Sequence, residues 1–403
     1  MVYQPAAGAR DLLPLDVAQK RWIEDRLEQV FHRWGYHRII TSTLERMDTL
    51  MAGEAIQRQM VIQLQNSEDE ELGLRPELTA SIARAVVSRL ESLTYPQRLY
   101  YNANVFRRIW ENRHNRQQEF YQAGVELLGV GGLRANAEVL LLAGNCLEAL
   151  GLRDWRIVLG EAGITRSLLQ AFPANLQAKI RNAIANLDRI AIDTLPLSEE
   201  LRTRAKIMFD LRGNSQDVLQ KVSSLGLDAA QQQAINHLKS LVELLELEGN
   251  SSVILDLSLI QTIDYYTGIV FEIVSNSNSP ASVLGRGGRY DQLLGLYHPQ
   301  GKNIPGIGFV LNIEDLYQIL LSTGQLPQEI PASNWLVVPE NDNAEAAAFA
   351  YAQKLRDSTH LVIVEMELGG RNTQAIRQYA SERGIAQIAW IKADGSPTIE
   401  SIR

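Results

Sequence analysis

The spacing of apolar residues changes several times along the chain, and each change marks a different kind of element. Between residues 16 and 34, Val17, Ile23, Leu27, Val30 and Trp34 fall near one helical face. Asp16 and Gln19 have capping-box spacing and Gly35 follows as a stop, so a helix is predicted there. Strand character follows at 38–43, 60–64, 99–106 and 120–128. The last two enclose a polar stretch, 110–118, which predicts a hairpin with a long exposed tip. Helical spacing returns at 134–150. From about 165 to 250 leucines recur three and four apart with few strand signals, which predicts a helical insertion. Strands are predicted again at 253–257 and 267–275, and the glycine-rich run 285–289 predicts a turn. Gly324, Pro327 and Pro331 give residues 321–333 the composition of a linker. Strands at 335–339, 361–365 and 388–392 then alternate with helices at 344–357 and 373–383, the pattern of a small α/β domain. The expected organisation is a core over residues 1–320 and a second domain over 333–403.

Composition narrows the functional classes. With 403 residues, 45% of them hydrophobic, the chain can build two or three cores. Its formal net charge of −8 repels phosphate backbones, and residues 335–403 carry seven Lys/Arg against nine Asp/Glu. Neither balance suits a nucleic-acid reader. Cys146 is the one cysteine and lies in an apolar stretch, so it reads as a packing residue in a reducing, cytoplasmic protein. The first fourteen residues lack the basic start and apolar core of a secretion signal. No apolar run reaches the ~18 residues that would cross a membrane. The six histidines have no metal-ligand spacing, and neither a metal nor a cofactor is expected.

Four short motifs carry possible chemistry. Gly285-Arg286-Gly287-Gly288-Arg289-Tyr290-Asp291 matches neither the dinucleotide fingerprint nor the P-loop. Leu74-Arg75-Pro76-Glu77-Leu78-Thr79-Ala80 sets a carboxylate and a hydroxyl beside a stiff turn, where Glu77 or Thr79 can cap a helix. Alternation in 120–126 places Gln122, Gly124 and Glu126 on one strand face. Tyr265 and Tyr266 precede Thr267-Gly268. Taken singly, each motif is explained by turns, caps or packing.

Taken in this order and spacing, residues 74–80, Phe106-Arg107, 120–129, 263–272 and 287–294 resemble the catalytic core of histidyl-tRNA synthetase. The resemblance runs from Gly8 to about Leu316, interrupted by the helical insertion. It implies an α+β fold of the class II aminoacyl-tRNA synthetase kind, with a six-stranded antiparallel sheet flanked by helices and a homodimer formed through the core. It implies that 333–403 is an anticodon-binding-like α/β domain. It also implies a histidine pocket, in which Glu77, Thr79 and Gln122 match residues holding the α-ammonium group. Glu126, Tyr266 and Tyr290 match those binding the imidazole, and Arg107 matches the arginine near the carboxylate. The chemistry is consistent: carboxylate and phenol oxygens satisfy ring nitrogens, and a guanidinium fork faces a carboxylate.

The nucleotide half departs from that family. The arginine of its Arg-Gly-Leu-Asp-Tyr-Tyr motif is Gln261 here, and the arginine of Gly-Leu-Glu-Arg-Leu is Asp315. A charge pair ~4 Å apart at an effective dielectric of ~20 is worth ~4 kcal/mol, so Asp315 beside a triphosphate costs more than simple loss of the cation. The glutamate of Phe-Arg-x-Glu is Ile109, and the proline of the first motif is Ser42. No catalytic residues are therefore expected. This pattern resembles the ATP phosphoribosyltransferase regulatory subunits, synthetase-like paralogues in histidine biosynthesis. The resemblance implies a non-catalytic subunit, needed for the first step of the pathway and carrying feedback by L-histidine. It also implies a short-form catalytic partner in a hetero-octamer, and no tRNA. The alternative is a divergent, active histidyl-tRNA synthetase, favoured by the retained pocket and opposed by Gln261 and Asp315.

Overall fold

Strands Gln97–Phe106 and Glu119–Leu128 pair antiparallel over their full lengths, Gln97 opposite Leu128 and Phe106 opposite Glu119. They begin a run of six antiparallel strands that continues through Gly306–Asn312, Ser282–Arg289, Ile269–Ser275 and Trp155–Glu161. His37–Arg38 adds in parallel at one edge, and Val253–Asp256 and Arg212–Gly213 extend the other to make nine strands. The computed structural model describes residues 4–54, 56–64, 70–89, 94–108, 117–223, 227–247, 253–259, 265–275, 282–358 and 360–402. They divide into two units, Met1–Leu326 and Pro327–Arg403.

The two faces of the large sheet are chemically distinct because side chains alternate along each strand. Ala123, Val125, Leu127, Ile307, Phe309, Leu311, Phe271 and Ile273 face one side. There they meet Ile23, Leu27 and Phe31 of helix Pro14–Arg33, and Leu140, Ala143 and Leu147 of helix Leu133–Ala149. Cys146 is buried in this core. The opposite face carries Gln122, Gly124 and Glu126, under a smaller apolar cluster of Leu78, Ile82, Tyr101, Tyr290 and Leu293. The insertion forms helices Ala162–Gln170, Ala174–Ala185, Arg189–Thr194, Glu199–Phe209, Ser215–Ser223 and Ala229–Leu247.

Several elements differ from the sequence prediction. The first helix begins at Pro14, and Asp16 acts from within it, accepting the Leu13 N–H at 2.9 Å. The strand predicted at 38–43 stops at Arg38, because the Thr41 and Ser42 carbonyls accept from the Arg75 guanidinium rather than from a strand. At 60–64 only Gln63–Leu64 is strand. The run 285–289 is not a turn but the end of strand Ser282–Arg289. Its glycines answer to lack of space: a Cβ at Gly287 would lie 2.5 Å from the Phe271 ring and from the Gly308 carbonyl. The sequence pattern also passed over strands Trp155–Glu161 and Gly306–Asn312 and helix Ile313–Ser322. Most of the expected hairpin tip at 110–118, and Gln261, lie outside the described residues.

In the second unit, Val364–Met366, Trp335–Pro339 and Gln387–Ile391 are parallel, and Pro397–Ser401 adds antiparallel. Helix Glu345–Arg356 packs Ala348 and Ala352 with Val337, Ala389 and Ile391. Helix Thr373–Glu382 packs Ile376 and Ala380 with Leu336, Val338 and Ile388 on the other face. The second of these strands in chain order starts at Val364, three residues later than the pattern predicts, and Leu361 is 96% exposed.

Candidate ligand pocket

Three glycines on neighbouring strands make a recess in the second face of the large sheet. Gly124 lies opposite Tyr101 and Val310, while Gly308 lies opposite Glu126 and Gly288. A Cβ at Gly124 would sit 2.5 Å from the Tyr101 hydroxyl, and one at Gly288 would sit 2.6 Å from the Tyr266 ring. At Gly308 it would collide with the Glu126 carboxylate itself. Backbone thus forms the floor, and larger side chains lie across it. The recess opens into a cavity of about 130 Å³, lined among others by Glu77, Thr79, Tyr101, Arg107, Gln122, Tyr265, Tyr266, Arg286, Tyr290 and Asn312. Cavities of about 150 Å³ take up a benzene ring, so an imidazole fits this volume.

Glu126, behind the cavity wall, is almost fully buried, with 1% of its surface exposed. One carboxylate oxygen accepts the Thr79 hydroxyl at 2.7 Å and the other accepts the Tyr290 hydroxyl. Burial pushes its pKa up to about 8; the two hydroxyls oppose the rise and Glu77 adds to it. The group therefore carries its proton near neutrality, and one hydroxyl then turns from donor to acceptor. Glu77 caps helix Thr79–Val87: its oxygens accept the Thr79 N–H at 2.7 Å and the Ala80 N–H at 2.9 Å. Burial raises its pKa as well, against these hydrogen bonds and the positive charge of Arg107.

Thr79 is the hub of the polar network, since its side chain also engages Glu77 and Tyr265. The Tyr265 ring stands 4.8 Å from that of Tyr266 and 5.7 Å, edge-on, from that of Tyr290. Gln122 is held by its amide on the Asn312 side-chain oxygen at 3.2 Å. Arg107 enters from the end of its strand, donating Nε to the Pro76 carbonyl at 2.8 Å, and its guanidinium lies 5.8 Å from the Phe120 ring centre. Six of the seven residues singled out from the sequence line this cavity, and Glu126 sits behind that lining, bonded to Thr79 and Tyr290 and packed against Gly308.

Tyr101, Tyr265, Arg286 and Asn312 also line it and were not singled out. The period of strand Gln97–Phe106 held the signal for Tyr101, which falls opposite Gly124. Arg286 was hidden by the reading of its glycines as a turn. Asp315 lies half-buried next to this region. Burial raises its pKa, while a hydrogen bond from Asn312 and the charge of Arg286 lower it. Among the described residues no cluster of His, Cys, Asp or Glu could hold a metal ion, and no helix is long and apolar enough to cross a membrane.

A six-stranded antiparallel core with a polar pocket on one face is the class II synthetase-like architecture. Residues 8–316 match the family described as histidyl-tRNA synthetase. A structure of an ATP phosphoribosyltransferase regulatory subunit/histidyl-tRNA synthetase from Bacillus halodurans superposes with a TM-score of 0.81 at 28% identity, covering 97% of this chain and 99% of that one. A histidyl-tRNA synthetase from Nostoc sp. PCC 7120 reaches 0.79 at 19% identity, covering 100% and 97%. The ATP phosphoribosyltransferase regulatory subunit of Nostoc sp. (strain PCC 7120) is 82% identical over 402 residues, covering 100% of both chains. That of Gloeothece citriformis is 56% identical over 408 residues, again with 100% of both covered. The chain belongs to the ATP phosphoribosyltransferase regulatory subunit family, built on the histidyl-tRNA synthetase core.

Proposed function

We propose that this chain is the non-catalytic regulatory subunit of an ATP phosphoribosyltransferase in histidine biosynthesis, and that its pocket binds free L-histidine as the feedback signal. The observation that carries the ligand is Glu126, a buried acid joined to two hydroxyls beside a ring-sized cavity. The imidazole meets Glu126, Tyr266 and Tyr290, the ammonium group meets Glu77, Thr79 and Gln122, and Arg107 faces the carboxylate. The partner is a short catalytic subunit without a regulatory domain of its own, assembled with it as a hetero-octamer in which this chain dimerises through its core. tRNA has no part in this function, and the C-terminal unit serves as scaffold or docking surface.

An active synthetase is the competing reading. Asp315, close enough to Arg286 to feel its charge, places an anion where the family keeps a cation for ATP. Nostoc sp. PCC 7120 has both a regulatory subunit 82% identical to this chain and a histidyl-tRNA synthetase only 19% identical to it. The discriminating experiment is histidine-dependent ATP–pyrophosphate exchange, run alongside phosphoribosyl transfer reconstituted with a short catalytic subunit. The expected result is background exchange together with transfer that depends on this chain and falls as histidine is added. Robust exchange by the purified chain would reverse the assignment.

A further inference from the structure

Arg286 belongs to no motif singled out for the histidine pocket, yet a break in its strand turns it into that pocket. Along the ladder of Ile269–Ser275 with Ser282–Arg289, Ile273 pairs with Gly285, whereas the next residue, Val274, pairs with Val283. Leu284 is the extra residue of a β-bulge. It packs in the main core, and without the bulge Arg286, two positions on, would face that core too. With it, Arg286 shares the pocket face with Gly288, whose neighbour is Tyr266.

We infer that Arg286 is a specificity-determining residue of this pocket, anchoring the carboxylate of the bound amino acid together with Arg107. The inference rests on the proposal that the ligand is histidine. Geometry supports the position. Arg286 pairs across the sheet with Val310 and thence with Gly124, while Gly288 pairs with Gly308 and thence with Glu126. These rungs are two residues apart, ~7 Å at ~3.4 Å per residue. Histidine spans ~6 Å from its outer ring nitrogen to its carboxylate, given standard bond lengths. An imidazole on Glu126 therefore brings the carboxylate to the Arg286 rung. Glu272, directly opposite on the next strand, accepts Nε of Arg286 at 2.8 Å. The terminal nitrogens have no partner among the described residues. The charge of Arg286 disfavours that of Arg107, and an anion between them relieves this repulsion. Both guanidinium groups have Nε held in place, Arg107 on the Pro76 carbonyl and Arg286 on Glu272.

The test compares L-histidine with L-histidinol, which keeps the ring and ammonium group but carries an alcohol in place of the carboxylate. Titration calorimetry or ligand-observed NMR on the full chain would be run for wild type, Arg286→Met and Arg286→Lys, with ATP–magnesium as a third ligand. Arg286→Met is expected to weaken L-histidine by about 10–100-fold, the range for a lost hydrogen bond to a charged group, while L-histidinol binding stays within about 2-fold. Arg286→Lys should recover part of the loss. Unchanged L-histidinol binding also reports that the variant pocket is folded. Equal weakening of both ligands, or of neither, overturns the role of Arg286, as does loss of ATP binding with histidine binding intact. A wild-type chain that binds neither L-histidine nor L-histidinol instead overturns the proposed ligand itself.

Discussion

Replacing Glu126 by glutamine should flatten the pH dependence of stability in the ligand-free protein. The folded-state pKa, about 8, lies above the ordinary carboxylate value of 4.5, so the folded chain binds the more protons between those pH values. Stability from this group is complete below pH 4.5 and is lost as pH rises through 8. The full displacement corresponds to about 5 kcal/mol, of which about 2–3 kcal/mol falls between pH 6 and 9. In a unit of 326 residues, at ~2.1 cal/mol/K of unfolding entropy per residue, that is a drop in Tm of about 4 °C. Glu126→Gln keeps the shape, accepts from one hydroxyl and donates to the other, and carries no titrating proton. Thermal melts of both proteins from pH 6 to 9 isolate the effect, because groups not coupled to Glu126 titrate equally in each. Wild type should lose several degrees relative to the variant. Parallel curves would show that Glu126 is ionised throughout and that burial does not govern it.

The remaining predictions concern shape, coupling and selectivity. Gly308→Ala should destabilise the protein by about 1–3 kcal/mol and abolish histidine binding, since its methyl collides with the Glu126 carboxylate; an unchanged melt and binding isotherm would refute the backbone floor. Tyr266→Phe should weaken histidine binding by about 1–3 kcal/mol and move the inhibition midpoint of the reconstituted complex upward in step. Lost binding with an unmoved midpoint would place the regulatory site elsewhere. In gel-shift titrations the chain should show no sub-micromolar, salt-sensitive binding to histidine tRNA, given its net charge of −8.

What could be read without a structure followed from periodicity and from ordered motifs. The paired strands 99–106 and 120–128 announced themselves because aromatic and aliphatic residues are concentrated there on either side of a polar stretch, and the structure extends each by only one or two residues. Strand Gly306–Asn312 was invisible because its glycines remove the usual strand signal, although those glycines are what make the recess. The strand at Trp155–Glu161 sits between two helical stretches and is buried at Trp155, Ile157 and Leu159, an alternation too short to stand out. Glu77, Thr79 and Glu126 were accessible as residues, but their mutual hydrogen bonds depend on a helix end meeting a strand 47 residues on, a distance no local pattern encodes. Arg286 shows the same limit more sharply. One bulge residue decides which side of the sheet its charge occupies.

A recess floored by main chain has a particular mutational history built into it. The hole belongs to the sheet and is lost only by adding an atom to one of three glycines. Everything that gives the hole chemical character hangs over it from separate strands and a helix end, and each such group can be exchanged singly. Reactivity can be removed residue by residue while the imprint of the small molecule survives. A receptor can thus descend from an enzyme without rebuilding its binding site.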